Sequence, residues 1–151
     1  MTVGEVILPV IVQLAYGVAV AAVLLLLWYV RRRYPTAPKR IPLRLRFDGR
    51  PSARTGPRRW LWAAPIVLAL IMIVLTGFLV AAPPAPDQRV PIALVFVIMA
   101  EIAWFTGWTT DRQIELARGM TYRIAPARTL RAFLPILATI ALTLFIAIRP
   151  S

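Results

Sequence analysis

The chain contains no cysteine and no histidine among its 151 residues. Disulfides, iron–sulfur clusters, thiol catalysis, His-ligated haem and zinc sites of the usual Cys/His type are therefore excluded. A Ser–His–Asp triad is excluded for the same reason. Acids are scarce: six Asp and Glu stand against eighteen Lys and Arg, a formal net charge of +12. Only Glu101 and Asp48 sit in unusual settings, and they lie at different levels of the chain, so no acid–base pair is evident. These absences lead to the expectation of a non-enzymatic protein with no catalytic residues, cofactor or metal.

Apolar residues are what the chain has in excess. It is 60% hydrophobic and only 16% charged, where soluble domains run close to half apolar. The excess is gathered into four runs, over residues 6–30, 60–82, 91–109 and 130–148. Each is near the ~20 residues that a helix needs to cross a hydrocarbon core, where the backbone must satisfy its own hydrogen bonds. Residues 1–151 thus read as one all-α integral membrane domain, with four transmembrane helices in two hairpins. No soluble catalytic domain fits in what remains. The first run is too long for a signal-peptide core and has Glu5 ahead of it, so it reads as a retained helix. Pro65, Pro91 and Pro135 all read as early-turn prolines, where a missing N–H costs least.

The charges fall between these runs. Residues 31–59 carry ten Arg plus Lys39 against one acid, Asp48, and residues 110–131 carry Arg112, Arg118, Arg123, Arg128 and Arg131. Only Arg89 and Arg149 fall on the other side. Cytoplasmic loops attract Lys and Arg, so loops 31–59 and 110–129 are expected in the cytoplasm and both termini outside. The expected location is a bacterial cytoplasmic (inner) membrane. Basic loops beside spans favour anionic lipid headgroups as partners and argue against nucleic acid. Trp28, Trp60, Trp62, Trp104 and Trp108 all fall at the same ends of their helices, as an interfacial belt does. With all five on one side, a surface for a partner's helix is the alternative.

Within the runs, helix one carries small residues, Ala15, Ala19 and Ala22 with Gly17 and Ala21 beside them. These permit close helix approach, inside the bundle or at a dimer seam. Glu101 is the one acid deep in a span, ten residues past Pro91 and therefore about 15 Å along its helix. Tyr16 and Gln13 on helix one, Thr139 on helix four and Thr76 on helix two lie near the same depth. Glu101 reads as a neutral, hydrogen-bonded packing residue, as a proton or cation site, or as a partner of a basic or polar group on another subunit. The two halves also share a plan: Arg59-Trp60-Leu61-Trp62-Ala63-Ala64-Pro65 compares with Arg131-Ala132-Phe133-Leu134-Pro135. A repeat of hairpins and a shared pattern of membrane-helix beginnings both account for it.

The first loop is more than a basic linker. Ile41, Leu43, Leu45 and Phe47 alternate with Pro42, Arg44 and Arg46, and period two predicts a short strand; Asp48-Gly49 is a turn signal. Such a strand is expected on the membrane surface, apolar side down. The run Ile41-Pro42-Leu43-Arg44-Leu45-Arg46-Phe47-Asp48-Gly49-Arg50-Pro51, with Tyr34-Pro35 ahead and Pro65 behind, resembles the SdpI-type bacterial toxin-immunity membrane family and its relatives. That family's loop reads Ile-Pro-x-His-Phe-x-x-x-Gly-x-Pro. Ile41, Pro42, Gly49 and Pro51 match, whereas Arg44 replaces the His and Leu45 the aromatic. The resemblance covers residues 10–80 and implies immunity to a peptide toxin or signalling at the membrane, without whatever the His does.

Three functions remain open from the residues: contact with a partner in the manner of that family, an accessory subunit of a larger membrane complex, and a small transporter or channel built on Glu101. In the first two the partner is another membrane protein or a second copy. Few polar residues in the spans weakens the third.

Overall fold

The structure, a computed structural model, describes residues 3–43, 51, 53–119 and 125–148. Helix α1 spans Val3–Arg33 and runs into a 3-10 turn at Tyr34–Thr36. Strands β1 (Arg40–Pro42) and β2 (Thr55–Pro57) pair antiparallel, with Ile41 opposite Gly56. A 3-10 segment, Arg58–Trp62, leads into α2 (Ala63–Ala81), and a 3-10 turn at Pro86–Gln88 into α3 (Arg89–Ala117). Helix α4 covers Pro126–Ile148. The four helices are each long and apolar enough to cross a membrane.

The end of α3 and the start of α4 differ most from the sequence expectation, each for a local reason. Helix α3 continues eight residues beyond Thr109, because Asp111 to Ala117 contains good helix formers with no Gly or Pro. It stops where Gly119 takes a left-handed φ of 69°, and the Gly119 N–H closes on the Leu116 carbonyl. Helix α4 starts earlier than expected, with Pro126 as its first residue, where a preset φ favours the helix. Pro135 is in consequence an interior proline, and it leaves the Arg131 carbonyl without its intrahelical donor.

Helices α1 and α3 form the central seam and run in the same direction. Tyr16 meets Phe96 edge to face at 5.3 Å, and Arg33 near the end of α1 meets Asp111 near the end of α3. At 31 and 29 residues they are about 46 and 44 Å long, so both outrun a hydrocarbon core of about 30 Å. Close approach comes from the small-residue face: Ala19 has 0% exposure, Ala15 and Ala22 pack around it, and Gly17 and Ala21 point away. Val23, Leu26, Val30, Phe96, Met99, Ala103 and Ile114 complete the seam.

The other two helices flank it. Helix α2 adds Leu68 and Met72 to the core, mainly against α1, and α4 packs on α3 through Phe133 against Phe105. Helix α2 therefore lies against the α1–α3 pair, and α4 lies on α3. Large apolar side chains cover the outside of the bundle, among them Leu24, Leu70, Ile73, Phe78, Val80, Leu134 and Phe145.

Candidate functional site: the basic end of the bundle and the Glu101 carboxyl

The chemistry of the chain is concentrated where α1, the first loop and the α3 extension meet. Tyr29 and Arg33 are four residues apart and share a face of α1. The Arg33 Nε donates to the Tyr29 hydroxyl at 3.2 Å, and that hydroxyl donates to Asp111 Oδ1 at 2.9 Å. A 2.8 Å ion pair between Arg33 and Asp111 closes the triangle. One residue on, Arg112 pairs with Glu115.

The α3 extension also holds the loop. Gln113 Nε2 donates to the Pro42 carbonyl at 3.2 Å, and the Arg118 guanidinium donates to the Thr36 carbonyl. The Leu43 N–H bonds to the Arg54 carbonyl and the Arg58 N–H to the Lys39 carbonyl, which extends the two-strand ladder at both ends. Ile41 is 1% exposed and sits in the helix core with Leu61 and Ile114. The expected strand therefore exists over its first residues, but it turns its apolar side into the protein. A partner strand and the α3 extension provide a drier surface for it than the headgroup level.

Of the resemblance residues, Ile41 and Pro42 are buried and Pro51 is exposed; Arg44 and Gly49 lie outside the described residues. Gly56, which sequence reading passed over, is buried opposite Ile41, where an added Cβ would stand 2.5 Å from the tip of Leu43 and 3.1 Å from the Trp60 ring.

The tryptophans divide. Trp28, Trp60 and Trp104 are exposed, and Trp62 and Trp108 are half-buried. Trp108 stacks on Phe105, and Trp62 leans on Tyr34. Arg32 lies over Trp28 at 5.3 Å, Arg112 over Trp108 at 5.9 Å and Arg58 over Tyr34 at 4.7 Å. An open groove of about 520 Å³ runs between α1 and α3 past Trp28, Trp104 and Trp108. A second hollow, about 420 Å³, lies between β1, Trp60 and the α3 extension.

The polar residues expected around Glu101 separate into two pairs. Thr139 donates to Glu101 Oε1 at 2.8 Å, between α3 and α4. Tyr16 and Thr76 bond to each other at 3.1 Å, between α1 and α2. Gln13 is exposed on α1, and no hydrogen bond among the described residues joins it to Glu101. Depth alone grouped these residues. Helical phase separates them: Phe96, which meets Tyr16, and Glu101 are five residues and about 140° apart around α3. Glu101 Oε2 is buried and has no hydrogen-bond partner among the described residues.

Sequence reading missed the Tyr29–Arg33–Asp111 triangle and the Gln113 and Arg118 contacts. The i, i+4 spacing of Tyr29 and Arg33 was visible, as was Gly119 as a helix stop that would have made Asp111 to Ala117 helical. Compared with protein-family profiles, curated proteins and solved structures, the chain matches none.

Proposed function

We propose that the chain is a multi-pass membrane protein that works by contact, presenting a fixed basic platform on the cytoplasmic side to an acidic surface of another membrane protein. One observation carries this reading. The first loop is held to α3 by directed bonds from Gln113 and Arg118 and by a buried Ile41. Charge that served only to orient the chain would need no such fixing. The platform displays Lys39, Arg40 and Arg59 as exposed cations. The exposed large apolar side chains on all four helices support insertion, since water would reject a surface of that kind.

The resemblance of Ile41, Pro42, Gly49 and Pro51 to the SdpI-type loop makes immunity or signalling the specific form of this reading. Sidedness is open to a direct test because the chain has no native cysteine. Introduced in turn, Ala85→Cys should react with an impermeant maleimide on intact cells, and Ala53→Cys only after lysis. Photo-crosslinking from position 40 or 59 should then capture a membrane protein, and the triple change Lys39→Glu, Arg40→Glu, Arg59→Glu should abolish capture. Undiminished capture would remove the contact reading. Migration on a native gel separates its two forms: a large complex fits an accessory subunit, and a free monomer or dimer fits the immunity-like form.

The unpartnered Glu101 Oε2 favours a second reading, a carboxyl with a role in moving a proton or cation. The separate Tyr16–Thr76 pair gives it no continuation toward α1 and α2. Unchanged activity in Glu101→Gln would dispose of it.

A further inference from the structure

We propose that the groove between α1 and α3 binds one molecule of acidic phospholipid, with an acyl chain along the groove and the phosphate between Arg32 and Arg112. The site rests on the reading of the chain as membrane-spanning and goes beyond general attraction of headgroups to the basic loops.

The groove exists because small residues form its floor and large ones its walls. Ala22, Ala103 and Gly107 lie at the bottom, while Trp28, Trp104 and Trp108 stand at the sides. Both walls end in a tryptophan followed by an arginine. On α1, Leu25 is followed by Trp28 and then Arg32, at i, i+3 and i+7, which keeps all three in one stripe. On α3, Trp104, Trp108 and Arg112 repeat at i, i+4 and i+8. From the middle of the bundle to its basic end, the α1 wall goes from apolar to aromatic to cationic and the α3 wall from aromatic to cationic. An anionic phospholipid has that order too: hydrocarbon, ester level, phosphate.

The cations are placed for the task. Arg32 lies over the Trp28 ring and Arg112 over the Trp108 ring, so a guanidinium rides on each wall at one level. Asp111 closes the basic end of the groove, but the 2.8 Å pair with Arg33 neutralises it. Glu115 offsets Arg112 in charge by pairing with its Nη1. Arg32, exposed, is then the cation at the mouth with no acidic partner among the described residues. Net positive charge at the mouth selects a phosphate without a balancing ammonium over a zwitterionic headgroup.

Native mass spectrometry of the full chain in detergent, with phosphatidylglycerol and phosphatidylcholine offered in equal amounts, tests the site. The wild type should retain one phosphatidylglycerol with a preference of about fivefold, the factor that one interfacial arginine contributes. Arg32→Gln with Arg112→Gln should bring the two lipids to parity, whereas Arg128→Gln, an exposed cation on α4, should leave the preference intact. Ala22→Phe should obstruct the groove and lower retention of both lipids. Gly107→Ala should be tolerated, because its Cβ would meet Leu26 Cδ1 at an ordinary 3.6 Å. An unchanged preference in the double variant would overturn the site, and so would an equal loss in Arg128→Gln. If Ala22→Phe does not fold, the two charge variants decide alone. Recovery in the membrane pellet after an alkaline wash tests the spanning reading by itself: protein in the supernatant would defeat that reading, whereas pelleted protein without lipid preference would defeat only this one.

Discussion

Breaking the Tyr29–Arg33–Asp111 triangle should loosen the α1–α3 seam at its basic end by an amount the geometry sets. Asp111 accepts a 2.9 Å bond from the Tyr29 hydroxyl and a 2.8 Å contact from Arg33. A hydrogen bond to a charged acceptor is worth about 1.5–3 kcal/mol when well sheltered. Here Asp111 is partly covered, and the Arg33 side chain is 41% exposed, which brings its share down to that of a surface pair, about 0.5 kcal/mol. The hydroxyl bond, half-sheltered, contributes about 1 kcal/mol. Asp111→Ala should therefore cost about 1.5–2 kcal/mol and Tyr29→Phe about 1 kcal/mol. Reversible SDS titration in mixed micelles, run as a double-mutant cycle, isolates the coupling. The expected interaction between Tyr29→Phe and Asp111→Ala is about 1 kcal/mol, nearly independent of salt, while the Arg33–Asp111 coupling should fade as ionic strength rises. A Tyr29–Asp111 coupling below about 0.3 kcal/mol would mean the triangle does not hold the seam, and the fixed platform would lose part of its support.

Packing along α1 should be sharply one-sided. Ala19→Leu, at a position with 0% exposure, should cost about 1–3 kcal/mol by overpacking, and Ala21→Leu, exposed two residues on, should stay within about 0.5 kcal/mol of wild type in the same titration. Gly119→Ala should lower stability by about 1 kcal/mol, since its φ of 69° suits glycine, and near-ultraviolet circular dichroism of the tryptophans should stay unchanged. Glu101→Leu should cost about 0.6–2 kcal/mol by orphaning Thr139, and Glu101→Gln should cost much less because its amide oxygen still accepts; equal losses would show that the 2.8 Å bond is not what matters there.

Four long apolar helices, the small-residue face of α1 and a short strand that includes Ile41 were all legible in the sequence, because hydropathy and short-range periodicity are properties of neighbouring residues. Glu101 and Thr139 could be matched by depth, since rise per residue is constant along a helix. Which residues share an azimuth depends on how helices rotate against one another, and only the packed bundle decides that. It gave Thr139 to Glu101, gave Thr76 to Tyr16, and left Gln13 exposed. The Tyr29–Arg33–Asp111 triangle and the α1–α3 groove are likewise tertiary. Both join α1 to residues of α3 some eighty positions on, and the physical cause is the same: Ala19 lets α1 approach α3, and the α3 extension then reaches the loop and draws Ile41 inward.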